Sequence, residues 1–206
     1  GCCRESGSGD VLIGFRANYQ NCTGGHTIAI GSQSAEYARC GCNVTMGNRA
    51  GYQDYCGMRS VYIGHNAGYY GQCRSGQNTA VGHQALYGDS GGTACGSENV
   101  AIGCLSFYSM KDGCYNVAVG NLAGYNTCNG MCNTFLGYGA GRNNTTGGQN
   151  VVIGYNHCHT SATSDTNLSI GFAGECWWIK GDSSQDVFLG GTTAIRAENN
   201  GGVFHA

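Results

Sequence analysis

A strand-forming tripeptide followed by glycine recurs along nearly the whole chain. The instances are Val11-Leu12-Ile13-Gly14, Ile28-Ala29-Ile30-Gly31, Val44-Thr45-Met46-Gly47, Val61-Tyr62-Ile63-Gly64, Thr79-Ala80-Val81-Gly82 and Val100-Ala101-Ile102-Gly103. They continue with Val117-Ala118-Val119-Gly120, Thr134-Phe135-Leu136-Gly137, Val151-Val152-Ile153-Gly154, Leu168-Ser169-Ile170-Gly171 and Val187-Phe188-Leu189-Gly190. Successive glycines lie 17, 16, 17, 18, 21, 17, 17, 17, 17 and 19 residues apart. A unit of 17 residues with one short strand cannot bury a core by itself, so it must stack on its neighbours. The spacing predicts an all-β parallel β-solenoid of about eleven coils over 10–172, preceded by a segment 1–9 and followed by a last coil and tail over 173–206. Eleven coils at roughly 4.8 Å each would make a rod of about 50 Å.

Composition agrees with a continuous ladder. Among 206 residues there are 38 Gly and no Pro, and only 11% are charged. Proline cannot donate to a ladder, and disordered chains are usually rich in it. Within each tripeptide the first and third residues are apolar while the middle one varies, which reads as two side chains in and one out. On that reading Ile30, Met46, Ile63, Val81, Ile102, Val119, Leu136, Ile153 and Ile170 form one buried column. The variable residues Leu12, Ala29, Thr45, Tyr62, Ala80, Ala101, Ala118, Phe135, Val152, Ser169 and Phe188 form an irregular outer one, suited to packing against another surface.

Asn precedes most tripeptides, at Asn43, Asn78, Asn99, Asn116, Asn133, Asn150 and Asn167, with Asp10 and Asp186 at the ends. Stacked in register these make an amide ladder. Ala recurs three residues after the glycine, and Tyr19, Tyr52, Tyr69, Tyr87, Tyr108 and Tyr125 follow two residues later as an external stripe.

The segments Asn116-Val117-Ala118-Val119-Gly120-Asn121-Leu122-Ala123-Gly124 and Asn78-Thr79-Ala80-Val81-Gly82-His83-Gln84-Ala85-Leu86 resemble the repeats of trimeric autotransporter adhesin heads and of phage tail-fibre proteins. The resemblance spans roughly Asp10 to Gly171. It implies a parallel β-roll, commonly trimeric, that binds a host surface; the period here is longer than that of the adhesin repeat.

Fourteen cysteines point to an oxidising compartment. Cys22, Cys40, Cys56, Cys73, Cys95 and Cys128 precede the next repeat glycine by 9, 7, 8, 9, 8 and 9 residues, so all sit in one turn region. Disulfides between consecutive coils are the first reading, with buried thiols and a metal site behind it. Cys2 and Cys3 would lock a joint between the N-terminal segment of one subunit and the C-terminal segment of the next, unless both tails cap their own coils. His65, His83 and Cys104 share one column, read as a surface ladder before a metal clamp.

No catalytic constellation emerges. The carboxylates are scattered singly, and no nucleophile elbow or phosphate loop occurs in its required context. The chain is therefore expected to be non-enzymatic and to need no cofactor. Asn143 and Asn144 are the sequons best placed for a glycan, because Asn43 and Asn167 belong to the ladder. A net charge of -2 offers nothing for nucleic acid, and no apolar run is long enough to span a bilayer. The start at Gly1 reads as a processed product or a fragment. The expectation is an extracellular, cell-surface or virion-surface fibre subunit whose partner is itself. A receptor-binding adhesin or tail-fibre protein that engages a host or cell-surface glycan or protein is the alternative. Ice binding ranks third, since it wants a regular outward array.

Overall fold

The computed structural model describes residues 9–20, 25–55, 57–71, 76–88, 96–157, 162–173, 177–181, 183–184, 187–189 and 193–195. It is an all-β solenoid with no helix among those residues. The strands are β1 (Val11–Ile13), β2 (Ile28–Ile30), β3 (Val44–Met46), β4 (Val61–Ile63), β5 (Thr79–Val81), β6 (Val100–Ile102), β7 (Val117–Val119), β8 (Thr134–Leu136), β9 (Val151–Tyr155) and β10 (Leu168–Phe172). They are followed by β11 (Trp177–Gly181), β12 (Val187–Leu189) and β13 (Thr193–Ile195). All thirteen form one sheet in chain order. From β1 to β10 every pairing is parallel and in register, each tripeptide opposite its own equivalent. Ten strands at roughly 4.8 Å spacing span about 43 Å.

The repeat ends at Phe172. The chain folds back, Trp177–Gly181 takes the edge of β10 antiparallel, and β12 and β13 continue the meander. Val187–Leu189, counted from sequence as an eleventh coil, is therefore an antiparallel strand of a terminal cap. β11 covers the polar edge that β10 would otherwise present to another chain.

The strand ladder continues through the turns. Gly120 N–H donates to the Ile102 carbonyl (2.8 Å) and Leu122 N–H to Cys104 (2.9 Å), whereas Gly124 and Asn126 donate the other way, to Ala140 (2.9 Å) and Arg142 (3.1 Å). Left-handed residues make this geometry, and many carry side chains: Arg16, Gln33, Arg49, Gln84 and Leu122 form one such column, and His26, Cys42, Arg59, Gln77, Glu98, Tyr115, Cys132, Gln149 and Thr166 another. Each costs about 1–2 kcal/mol, offset because its polar backbone groups then point along the rod to a partner. The glycine closing each tripeptide has φ between 122° and 139° from Gly14 to Gly154. A Cβ there would lie 2.5 Å or less from the carbonyl oxygen of the next such glycine.

The interior corrects the sequence reading. The middle residues of the strands face inward: Ala29, Ala80, Ala101, Ala118, Phe135 and Val152 are fully buried, with Thr45 and Tyr62 at 1% exposure and Ser169 at 4%. The flanking residues face out. Ile13 (58% exposed), Met46, Ile63, Ile102 and Leu136 are exposed, and Ile30, Val81, Val119, Ile153 and Ile170 are half-buried. They do form one column, but it lies on the outer face of the sheet. The coil is too narrow for two branched side chains per strand. One side chain meets the Ala three residues after the glycine (Ala17, Ala50, Ala67, Ala85, Ala123, Ala140), and that fills the space.

Size compensates across this interior. Where the strand centre is Tyr62 or Phe135, the residue four after the glycine is Gly68 or Gly141, packed on the ring. Where the centre is Ala80 or Ala101, that position holds Leu86 or Phe107, both buried. Ala118 and Gly124 share a coil, and Gly124 packs against Phe107 and Phe135 of the coils on either side.

Candidate functional site: an aliphatic sheet face and a tyrosine column

The outer face of the parallel sheet carries two aliphatic columns. One runs Val11, Ile28, Val44, Val61, Thr79, Val100, Val117, Thr134, Val151, Leu168; the other runs from Ile13 through Ile30, Met46, Ile63, Val81, Ile102, Val119, Leu136 and Ile153 to Ile170. Neither column contains a charged residue. In β9 and β10 the strands lengthen, so Tyr155 and Phe172 extend the same face. Tyr138 stacks on Tyr155 at 5.1 Å, and Trp178 meets Phe172 edge-on at 4.9 Å. Val11, Ile13, Met46, Ile63, Ile102, Val117, Leu136, Tyr155, Phe172 and Trp178 are all exposed. A contiguous exposed apolar strip of this kind is unusual for an isolated soluble molecule and marks an interaction surface.

On the turn side stand the tyrosines. Tyr52, Tyr69, Tyr87, Tyr108 and Tyr125 form a continuous stack with ring centroids 4.9–5.1 Å apart. Arg49 lies over Tyr52 at one end and Arg142 over Tyr125 at the other, both within cation–π range. Tyr19 is not in the stack; the next coil has Glu36 at the equivalent position, bound by Arg16 (3.3 Å) and Gln33 (2.8 Å). Burial is the main cause that pushes the Tyr52 and Tyr87 phenols up to about 12, aided by neighbouring phenols and, for Tyr52, by Glu36. Tyr62 lies inside the coil, and its phenol is raised well above the usual value by burial and then by the Asp54 carboxylate.

Asn43, Asn78, Asn99, Asn116, Asn133, Asn150 and Asn167 occupy one column, and all but Asn167 are buried. The chief link runs from backbone to side chain: the Asn116 N–H donates to Asn99 Oδ1 (3.0 Å), Asn133 to Asn116 (2.9 Å), Asn150 to Asn133 (2.9 Å) and Asn167 to Asn150 (3.0 Å). The amide nitrogen reaches a turn carbonyl, as in Asn99 to Gly113, Asn116 to Gly130 and Asn133 to Gly147, each 2.8 Å. Ser60 interrupts the column, accepting from Asn78 N–H through its hydroxyl (3.3 Å). Asn116→Ala would strand the Gly130 carbonyl and the Asn133 N–H inside the coil. The expected cost is about 2–6 kcal/mol, at 1–3 for each of the two unsatisfied groups, measured as a shift in urea midpoint against the wild-type chain.

Several sequence expectations change. Cys40 and Cys128, assigned to a disulfide-stapled column, are thiols, as are Cys42, Cys104, Cys114 and Cys132. A stacked coil brings together only residues in register, and the coils flanking Cys128 put Lys111 and Thr145 against it, at 2.8 Å between backbones in both cases. Cys2, Cys3, Cys22, Cys56, Cys73 and Cys95 lie outside the described residues. Asn144, a glycan candidate, is fully buried, donating to the Gly147 carbonyl (3.0 Å), which leaves Asn143 as the exposed member of that pair. His65 and His83 stack at 5.3 Å with rings 6° from parallel, and Cys104 Sγ is 3.8 Å from His83 Nδ1. Among the described residues no three His, Cys, Asp or Glu side chains converge as a metal site would require.

One buried polar pair had no signal in sequence beyond a broken pattern. His157 stands where other described coils have Ala or, at Ser34 and Ser106, Ser, and it is fully enclosed, with Nδ1 2.7 Å from the Phe172 carbonyl and Nε2 2.5 Å from Ser169 Oγ. A carbonyl only accepts, so Nδ1 carries a proton and donates to Phe172, while Nε2 and the Ser169 hydroxyl share the second hydrogen bond. This network ties the last Ala-type position to the end of β10. Comparison with protein-family models, curated proteins and solved structures yields no match to this chain.

Proposed function

We propose that this chain is a non-catalytic, extracellular or surface-exposed fibre subunit that associates with copies of itself through the aliphatic face of its sheet. The observation that carries this reading is the pair of uncharged aliphatic columns turned away from the coil. A second copy is the fitting occupant because it presents the same apolar columns at the same rise per coil. Copies related by a rotation axis along the rod keep equivalent coils at the same height, so their apolar columns can meet along the whole length. Burying such a strip stabilises by roughly 25 cal/mol per Å² of apolar surface. The fourteen cysteines and the low charge fit an extracellular or virion setting, and the resemblance to adhesin heads and tail fibres favours three copies around an axis. β11 occupies the edge of β10, so side-by-side packing fits this chain better than a direct continuation of the ladder from one subunit's last coil to the next.

Ile63→Glu combined with Leu136→Glu tests this, because both side chains are outside the coil and the fold does not depend on them. Sedimentation velocity should show an oligomer for the wild type and a monomer for the double variant, with unchanged far-ultraviolet circular dichroism. A wild type that stays monomeric at high concentration would sink the proposal.

Ice binding has one observation in its favour. The column that made it unattractive in sequence is interior, and the true outward columns are regular, β-branched at nine of ten positions from Val11 to Leu168. Thermal hysteresis activity retained by a monomeric wild type would select that reading over self-association.

A further inference from the structure

An asparagine side chain can be attacked by the backbone nitrogen of the residue that follows it, closing a five-membered ring. Glycine in the second place leaves that approach unobstructed. Among the described residues the chain has one such pair, Asn129-Gly130; Asn200-Gly201 lies outside them. In a folded chain the reaction needs two further conditions: the Asn side chain must be free to swing, and the next N–H must not be held in a hydrogen bond.

The exposed asparagines divide on the second condition. Asn48, Asn121, Asn129 and Asn143 are all exposed. After three of them the coil holds the next N–H: Arg49 donates to the Ser32 carbonyl (3.0 Å), Leu122 to Cys104 (2.9 Å) and Asn144 to Gly141 (3.0 Å). Asn156, also exposed, precedes His157, whose ring is locked between Phe172 and Ser169. At Asn129 both conditions are met. Among the described residues the Gly130 N–H has no acceptor and the Asn129 side chain makes no hydrogen bond. The Asn129 N–H does donate to the Thr145 carbonyl (3.2 Å), so the pair is anchored just before the reacting atoms.

The surroundings make the outcome consequential. The Gly130 carbonyl accepts from Asn116 Nδ2 at 2.8 Å, and a Cβ on Gly130 would lie 2.4 Å from the Gly147 carbonyl oxygen. Gly130 is thus fixed between two coils, with no room to shift towards the next.

We propose that Asn129 is a self-modifying site, converting without an enzyme to aspartate and isoaspartate through a cyclic imide with Gly130, and that the isoaspartate form loosens the ladder at this coil. The Gly130 nitrogen gives its proton to water and bonds to Asn129 Cγ, and the side-chain nitrogen leaves as ammonia. Water then opens the ring at either carbonyl. One opening leaves an ordinary aspartate, one coil from Asp112 in the same column. The other routes the main chain through the former side chain and adds a carbon between residue 129 and Gly130, which displaces the carbonyl that Asn116 holds.

The test incubates the full chain at mildly alkaline pH and follows it by intact mass and peptide mapping with electron-based fragmentation. Residue 129 should gain about 1 Da and appear as both isomers, at least about tenfold faster than any change at Asn48, Asn121 or Asn143. Leu122→Gly separates structure from sequence, because it creates a second Asn-Gly pair at a position of φ +60 whose N–H is held. Folded, its Asn121 should stay at least about tenfold slower than Asn129; in urea the two should convert at comparable rates. The isoaspartate fraction, separated from the aged chain, should melt about 3 °C or more below the wild type, whereas Asn129→Asp, which changes only an exposed charge, should not. An unchanged Asn129, or a folded Leu122→Gly chain in which Asn121 keeps pace with Asn129, would overturn the site. An isoaspartate fraction as stable as Asn129→Asp would overturn its effect on the ladder.

Discussion

Gly120→Ala is expected to destabilise the chain by at least about 3 kcal/mol, more than any single surface change. The smallest possible side chain is enough, because two independent penalties coincide. At φ +139 the backbone occupies a region that L-residues essentially avoid. The added Cβ would also sit 2.3 Å from the Gly137 carbonyl oxygen and 2.6 Å from its carbon. Neither atom can yield, since both belong to the backbone of the next coil, and Gly137 N–H is itself bonded to the Val119 carbonyl (2.8 Å). Relieving the overlap means separating two coils along the ladder, which loses hydrogen bonds on either side. Asn121→Ala, next to it and exposed, is the control and should change stability by less than about 0.5 kcal/mol. Thermal melts of the two variants followed by circular dichroism separate the cases. A Gly120→Ala protein that melts within a degree or two of the wild type would show that the coils stack less rigidly than these distances require.

The same glycine explains why so much of the fold was legible in sequence. A residue that must recur once per coil, beside a hydrogen-bonding Asn and a strand, prints its period directly on the chain, so the parallel solenoid and the Asn and Tyr columns could be read without coordinates. What could not be read was which side of each strand is interior. Alternation fixes that Ile102 and Val100 share a face and that Ala101 takes the other, but it does not label the faces. Apolarity labelled them wrongly, because a 17-residue coil has room for Ala and not for paired Val and Ile. The information lay in the covariation between coils, Tyr62 with Gly68 against Ala80 with Leu86, which requires knowing that these positions meet. Cys128 makes a related point: residues in one turn region need not fall on consecutive coils, and the coils on either side of Cys128 present Lys111 and Thr145 at its register.

If interior size is conserved by exchange between two positions, then Phe135→Ala and Gly141→Leu should compensate one another. Phe135 is fully buried, and removing its ring would leave a cavity costing about 3–5 kcal/mol. Gly141 packs so closely on that ring that a Cβ would meet Cδ1 at 2.4 Å, so Gly141→Leu alone is also destabilising, by overpacking, at about 1–3 kcal/mol. Together the two changes recreate an arrangement the chain already uses three coils earlier, where Ala80 and Leu86 occupy the equivalent positions and both are buried. Backbone strain does not forbid it. Gly141 has φ +62, and at the same place Leu86 has φ +50 and Phe107 φ +46. The double variant should therefore be more stable than Phe135→Ala alone, with a coupling of about 2 kcal/mol or more between sites in direct contact. Urea unfolding of the four proteins in the cycle gives this number, provided the slope with denaturant is unchanged across them. Additive single effects would mean that the filling of the coil is not a local exchange, and that Phe135 is held by neighbours such as Phe107, whose ring centre is 6.0 Å away, more than by its own coil.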